Sequence, residues 1–186
     1  MKVSREQVAE NRRRILDAAA RLFRERGFEG VTVAEVMKAA GLTHGGFYGH
    51  FKSKDDLVAQ TLAHAVTPTG EAPSDIAAYA EAYLRPQHRD NLGGGCAFAA
   101  LGPETARGSG EGRHVMTRAL RGQLDRLAAA APGHNEAERR RAAIAQWSAM
   151  VGAIILARLS DDPQLSDEIL RETRAALDDQ AAKAAS

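Results

Sequence analysis

The stretch Val31-Thr32-Val33-Ala34-Glu35-Val36, continued by Ala40-Gly41-Leu42-Thr43-His44-Gly45-Gly46-Phe47-Tyr48-Gly49-His50-Phe51-Lys52-Ser53-Lys54-Asp55-Asp56-Leu57, decides how the chain reads. Thr32 and Glu35 stand at the spacing of a capping box, with Val31 and Val36 as a hydrophobic staple, so a helix must begin at Val33. Gly41 is suited to the left-handed residue after a helix, and Thr43 offers the next N-cap, which limits the first helix to about two turns. Ser53 is a further N-cap, followed by Asp55 and Asp56 where a helix N-terminus favours acids. Two short helical segments joined through Gly41-Leu42 and laid on a longer helix form a helix-turn-helix.

Upstream, Ser4-Arg5-Glu6-Gln7 reads as another capping box that opens the long helix. Its expected inward stripe is Val8, Ile15, Ala19, Leu22 and Phe23, and Gly27 is its left-handed stop. In the reading segment, Phe47 and Phe51 lie four apart and face the core with Val36 and Leu42. Thr43, His44, Gly45, Tyr48 and His50 are then left pointing outward. The hydroxyls of Thr43 and Tyr48, His50, the ammonium of Lys54 and the helix N-terminus behind Ser53 suit phosphate oxygens. His44 and the backbone at Gly45 and Gly46 stand where base edges would be read. A small polar-faced helical hairpin would satisfy the spacing alone. Three glycines in so short a segment weaken helix formation by roughly 1 kcal/mol each relative to Ala, which points to a segment completed by contact or packing.

The run Asn11 to Leu57 carries Ile15-Leu16-Asp17-Ala18-Ala19, Leu22-Phe23, Gly27-Phe28, Thr32-Val33, Ala40-Gly41-Leu42, Phe47-Tyr48 and His50-Phe51-Lys52-Ser53-Lys54-Asp55-Asp56-Leu57 in order. It resembles the TetR/AcrR family of bacterial transcriptional regulators. The resemblance implies a three-helix DNA-binding head, a connecting fourth helix and a larger helical body that dimerises and binds an inducer. By matched position it makes Tyr48, His50 and Lys54 phosphate contacts, and Thr43, His44 and Gly45 specificity positions. The sequence departs from the family at Gly49, where many relatives carry a large aromatic residue or His.

Composition bounds the rest. With 186 residues, 25 Lys+Arg against 24 Asp+Glu and a formal charge of +1, the chain carries no uniformly basic coat. Residues 1–60 nevertheless hold eleven Lys/Arg against eight Asp/Glu, and the remainder fourteen against sixteen. All six prolines lie beyond residue 67, so a boundary is expected near Val66 to Pro73. The expected division is a helix-turn-helix domain at 1–52, a connecting helix at 53–66 and a ligand-binding and dimerisation domain at 67–186. Alternation typical of strands is missing and apolar residues recur three and four apart, which predicts an all-α chain of about nine helices. A charged opening, a single cysteine and a longest apolar run of only Ala149 to Ala157 argue for a reducing cytoplasm and against a membrane span, leader or internal disulfide.

In the body, Pro73-Ser74 is expected to start a helix with Ile76, Tyr79, Ala80, Tyr83 and Leu84 inward, and Pro86 to end it. Arg85 to Gly95 reads as a loop, Cys96 to Leu101 as the next helix, with breaks at Pro103 and at Gly108 to Gly112. The helix capped by Asn135 is apolar around most of its circumference. With the last helix, it is expected to pair with its copy in a two-fold four-helix bundle through Ile144, Trp147, Val151, Ile154, Ile155, Ile169, Thr173, Ala176 and Leu177. Tyr79, Tyr83, Cys96, Phe98, Glu104, Met116 and Trp147 are candidates to line a ligand pocket, although core packing explains the same residues. The histidines lack ligand spacing, so no metal is expected, and no cofactor.

The function expected from these features is a homodimeric, ligand-responsive repressor on a palindromic double-stranded DNA operator, released by a small-molecule inducer and without catalysis. Cys96, after three glycines at a helix start, supplies two alternatives. One is an electrophile- or redox-sensing repressor, the other a thiol-dependent enzyme, for which no base and orienter stand nearby. An architectural DNA binder without inducer is a further rival, which would bind random and specific duplexes equally.

Overall fold

The computed structural model describes residues 4–67, 75–108 and 110–185. Among them are nine α-helices and one 3-10 helix: α1 Arg5–Arg26, α2 Val33–Ala39, the 3-10 helix His44–Gly49, α3 Lys54–Ala65, α4 Ile76–Tyr83, α5 Pro86–Asp90, α6 Ala97–Arg107, α7 Gly110–Ala130, α8 Glu136–Leu159 and α9 Pro163–Ala185. The expected boundary between Val66 and Pro73, and a helix start at Pro73-Ser74, fall largely outside the described residues. Asp75 is the N-cap of α4, its carboxylate accepting the Ala77 N–H at 2.9 Å.

Local chemistry sets the head. Ser4 Oγ accepts the Gln7 N–H at 3.1 Å, but Gln7 turns its amide to Asn11 at 3.0 Å, so only half of that capping box closes. The Thr32–Glu35 box closes fully. Beyond α2, Gly41 adopts φ +69°, the Leu42 N–H reaches the Met37 carbonyl (2.9 Å) and the Gly41 N–H the Lys38 carbonyl (3.0 Å), the paired bonds of a Schellman stop. Ile15, Ala19, Leu22 and Phe23 of α1 are buried with Val31, Val36, Met37, Phe47, Phe51, Leu57 and Leu62. Val8 is exposed, because it lies in the first turn of α1 before the helix reaches its neighbours.

The head core does not stop at the head. Leu101 of α6 and Met116 of α7 are buried in the same cluster. A second cluster joins α4, α7, α8 and α9 through Ile76, Tyr83, Leu127, Trp147, Met150, Ile154, Leu170 and Leu177. Two expected breaks are corrected. Pro86 does not merely stop α4 but occupies the first turn of α5, where its missing N–H costs nothing. Pro103 lies inside α6. The residue before it, Gly102, has no Cβ to meet the proline ring, which removes part of the usual penalty on helix at that position.

Helix α8 is long and apolar enough, by length and composition, to cross a membrane, which the reading of Ala149 to Ala157 alone had missed. Within the fold that apolarity is used by the buried stripe Ala143, Trp147, Met150, Ile154 and Ala157 against the rest of the body.

Candidate functional site

The reading segment is a 3-10 helix, not a turn of α-helix, consistent with three glycines in six residues. Its core side is fixed by Phe47 and Phe51, 1% and 2% exposed, with ring centroids 5.7 Å apart. Two arginines of α1 hold its flanks. Arg14 donates to the Ala40 carbonyl at 2.6 Å, and Arg12 to the His50 carbonyl at 2.7 Å while its guanidinium lies 4.6 Å above the Phe51 ring. Thr43, His44, Gly45 and Tyr48 are exposed, Tyr48 at 74%, and form one outward face. Thr43 occupies the N-cap position, yet its hydroxyl makes no cap bond and is left to the outside.

His50 and Lys54 are half-buried. The His50 Nδ1 is buried without a partner, so an external contact falls to Nε2. Behind them, Ser53 Oγ accepts the Asp56 N–H (3.1 Å) and Asp56 accepts the Lys52 N–H (2.8 Å), closing a box at the start of α3. That backbone bond, with the Gln60 amide, lowers the Asp56 pKa. Sequence reasoning placed the outward set and missed the Arg12 and Arg14 braces, whose partners lie 38 and 26 residues away and leave no local signal.

The body contains a cavity of about 960 Å³. Tyr79, Tyr83, Cys96, Phe98 and Trp147 line it as expected. Trp147 meets Tyr83 and Phe98 edge-on, with centroids 5.2 and 5.9 Å away. Gln123 donates to the Tyr79 hydroxyl at 3.2 Å, whereas the Tyr83 hydroxyl is buried with no oxygen or nitrogen partner among the described residues. Burial raises the pKa of both phenols. His88 Nδ1 lies 2.6 Å from the Tyr83 carbonyl and its Nε2 accepts the Cys96 N–H at 3.1 Å, which defines a neutral tautomer; burial lowers its pKa accordingly. Cys96 is half-buried at the N-cap of α6.

Two pocket assignments are corrected. Glu104 turns away from the cavity and accepts the Phe28 N–H at 2.7 Å, tying α6 to the exit of α1. Met116 is buried in the head cluster instead of the cavity wall. Arg21 and Arg24 of α1 and Arg126 of α7 add cationic groups to the lining, which no local sequence pattern marks.

The expected pairing surface divides in two. Ile144 is exposed and Val151 and Ile155 are half-buried, on one outward face of α8 with Gly152. Trp147 and Ile154, 5% and 0% exposed, lie further round the helix in the body core, and Val151 and Ile155 pack against the edge of that core. On α9, Leu177 is likewise buried, Ile169 and Thr173 are half-buried, and Ala176 is exposed. No cluster of three or more His, Cys, Asp or Glu with metal-site geometry occurs among the described residues.

Residues 15–61 match the family model described as bacterial regulatory proteins, tetR family. The chain is similar to the HTH-type transcriptional regulator AcrR of Shigella flexneri, 38% identical over 68 residues, which are 37% of this chain and 32% of that protein. It is 45% identical over 51 residues to the HTH-type transcriptional repressor KstR2 of Rhodococcus jostii, covering 27% and 25% of the two chains. The chain thus aligns with a third or less of these relatives' length. In fold it is similar to the reduced form of E. coli NemR, with a TM-score of 0.73 at 22% identity over 90% of this chain and 94% of that one.

Proposed function

We propose that the chain is a ligand-responsive repressor that binds a palindromic DNA operator as a homodimer; the match of residues 15–61 to the tetR-family model and the all-α body that carries them support this reading. The carrying observation is the outward face of Thr43, His44, Gly45 and Tyr48, held on a segment anchored by buried Phe47 and Phe51 and braced from α1. Thr43, His44 and Gly45 read base edges, while Tyr48, His50 and Lys54 hold phosphates. The division is a head at 1–52, a connector at 53–66 and a body at 67–186, working in the cytoplasm without catalysis.

Pairing uses the outward stripe Ile144, Val151 and Ile155 of α8 with Ile169, Thr173 and Ala176 of α9. Two heads reach successive major grooves only at a separation of about 34–36 Å, so the operator is an inverted repeat. A ligand in the cavity that binds better to a differently spaced state removes the dimer from DNA by population shift. Selecting bound duplexes from a random pool is expected to return an inverted repeat. Equal binding of random and selected duplexes, with a steep salt slope, would replace this reading by an architectural one.

A second reading is favoured by one observation: the Cys96 thiol lines the cavity at the start of α6. In it, an electrophile enters the cavity and alkylates Cys96, and the adduct acts as the inducer. Cys96→Ser separates the two, because only the second reading loses electrophile-driven DNA release.

A further inference from the structure

We propose that the body cavity takes an anionic ligand, a single carboxylate or comparable anion on an apolar body, and that its anchoring cation is Arg24 of α1, a helix of the DNA-binding head. The proposal deepens the ligand-responsive reading and rests on it.

Three arginines and one aspartate line the cavity. Arg21 is engaged by Glu25 at 3.2 Å, and Asp17 lies 2.6 Å from His64. Arg24 differs. Its described partners are carbonyls only, those of Ala20 (3.3 Å), Gly93 (3.0 Å) and Ala65 (3.4 Å), and its Nε is buried without an acceptor. A partly desolvated guanidinium with no carboxylate among its described partners is an under-compensated charge, and burial lowers its pKa.

A second polar group on the same wall is also unused. Tyr83 is 8% exposed, and its hydroxyl lies beside the Cys96 thiol with no oxygen or nitrogen partner among the described residues. Burial keeps that phenol protonated, so it is available as a donor. A planar fork and a hydroxyl donor suit one anionic head, while Tyr79, Phe98 and Trp147 offer apolar surface to the remainder. Among the described lining residues the one carboxylate is Asp17, already held by His64, against three arginines.

The location also supplies a route to the head. Arg24 joins the last turn of α1 to the end of α3, through Ala65, and to the loop before α6, through Gly93. An anion that recruits the guanidinium competes with those two carbonyls. Binding therefore loosens the ties that set α1 and α3 against α6.

Trp147 is the only tryptophan and lines the cavity, so its fluorescence reports occupancy. The probes are para-tert-butylbenzoate, its carboxamide and para-tert-butylbenzylamine, titrated on the full chain with release of the selected operator followed in parallel. The carboxylate is expected to bind on the order of tenfold or more tighter than the amide, as a charge-assisted contact requires. Arg24→Gln should abolish that preference, whereas Arg21→Gln should keep most of it. Arg24→Lys, with circular dichroism melting, guards against a folding defect, and the acid-against-amide comparison needs no variant. Equal binding of acid and amide, preference for the amine, or no quenching by any probe overturns the proposal. Operator release by the amide or amine would overturn the anion alone and leave a ligand-responsive regulator. Acid-selective quenching without operator release would uphold the anion site and fail the regulatory reading.

Discussion

Gly49 closes the 3-10 helix between Tyr48 and His50 without the backbone conformation requiring a glycine there. Its φ is not positive, and a Cβ there would meet nothing within 4 Å. Replacing it by Ala removes backbone freedom from the unfolded chain, so Gly49→Ala is expected to stabilise the protein by about 0.4–1 kcal/mol in a denaturant titration. Any change in operator affinity then belongs to the interface; a fall in stability would show that the segment has no room for a side chain. Gly27 is the opposite case, with φ +75° and the Glu104 carboxylate where a Cβ would go. Glu35 carries a pH signature. The Thr32 N–H and hydroxyl, at 2.8 and 2.7 Å, and then Arg26 pull its carboxyl down to about 2. Its folded pKa lies below its ordinary 4.5, so the stability it confers is present above that pH and is lost as pH falls toward about 2. The denaturation midpoint of Glu35→Gln should therefore vary less across that window than that of the wild type, and parallel curves would refute the assignment.

At the scale of the element, α8 has two faces that one substitution each can separate. Ile155 is half-buried at the edge of the body core on the proposed pairing side, and Trp147 is 5% exposed in the core with Tyr83 and Phe98 against its ring. Ile155→Arg is expected to leave the monomer folded and to weaken self-association by at least about 2 kcal/mol, read by sedimentation over a concentration series. Trp147→Ala should instead cost about 3–5 kcal/mol of folding stability. An Ile155→Arg chain that associates like wild type would move the pairing surface elsewhere. Cap chemistry made α2 and α3 legible in the sequence, since each starts and stops on residues that act within four positions. Pro86 and Pro103 misled for a related reason: a proline marks where a helix is disfavoured, and the first turn of α5 and the glycine before Pro103 remove that penalty.

Across the whole molecule, the head and body share a core, because Leu101 and Met116 are buried among head residues. Glu104 adds a polar tie across the same seam. Glu104→Ala leaves the Phe28 N–H without its acceptor and is expected to cost about 1–3 kcal/mol in thermal or denaturant unfolding. A loss within experimental error would mean that water replaces the carboxylate. The seam also explains why the cavity is partly walled by α1: a helix that carries the reader contributes Arg21 and Arg24 to a space bounded by α4, α6, α7 and α8.

The sequence by itself determined the all-α class and the capped helices of the head. Those features depend on helical periodicity and on bonds between residues a few positions apart, and both can be counted along the chain. Only the tertiary structure decided that Glu104 and Met116 serve the head–body seam, that Trp147 and Ile154 belong to the core, and that Arg12, Arg14 and Arg24 of α1 reach backbone carbonyls of other elements. Their partners lie tens of residues away, and a helix apolar around most of its circumference does not declare which side its own fold will cover.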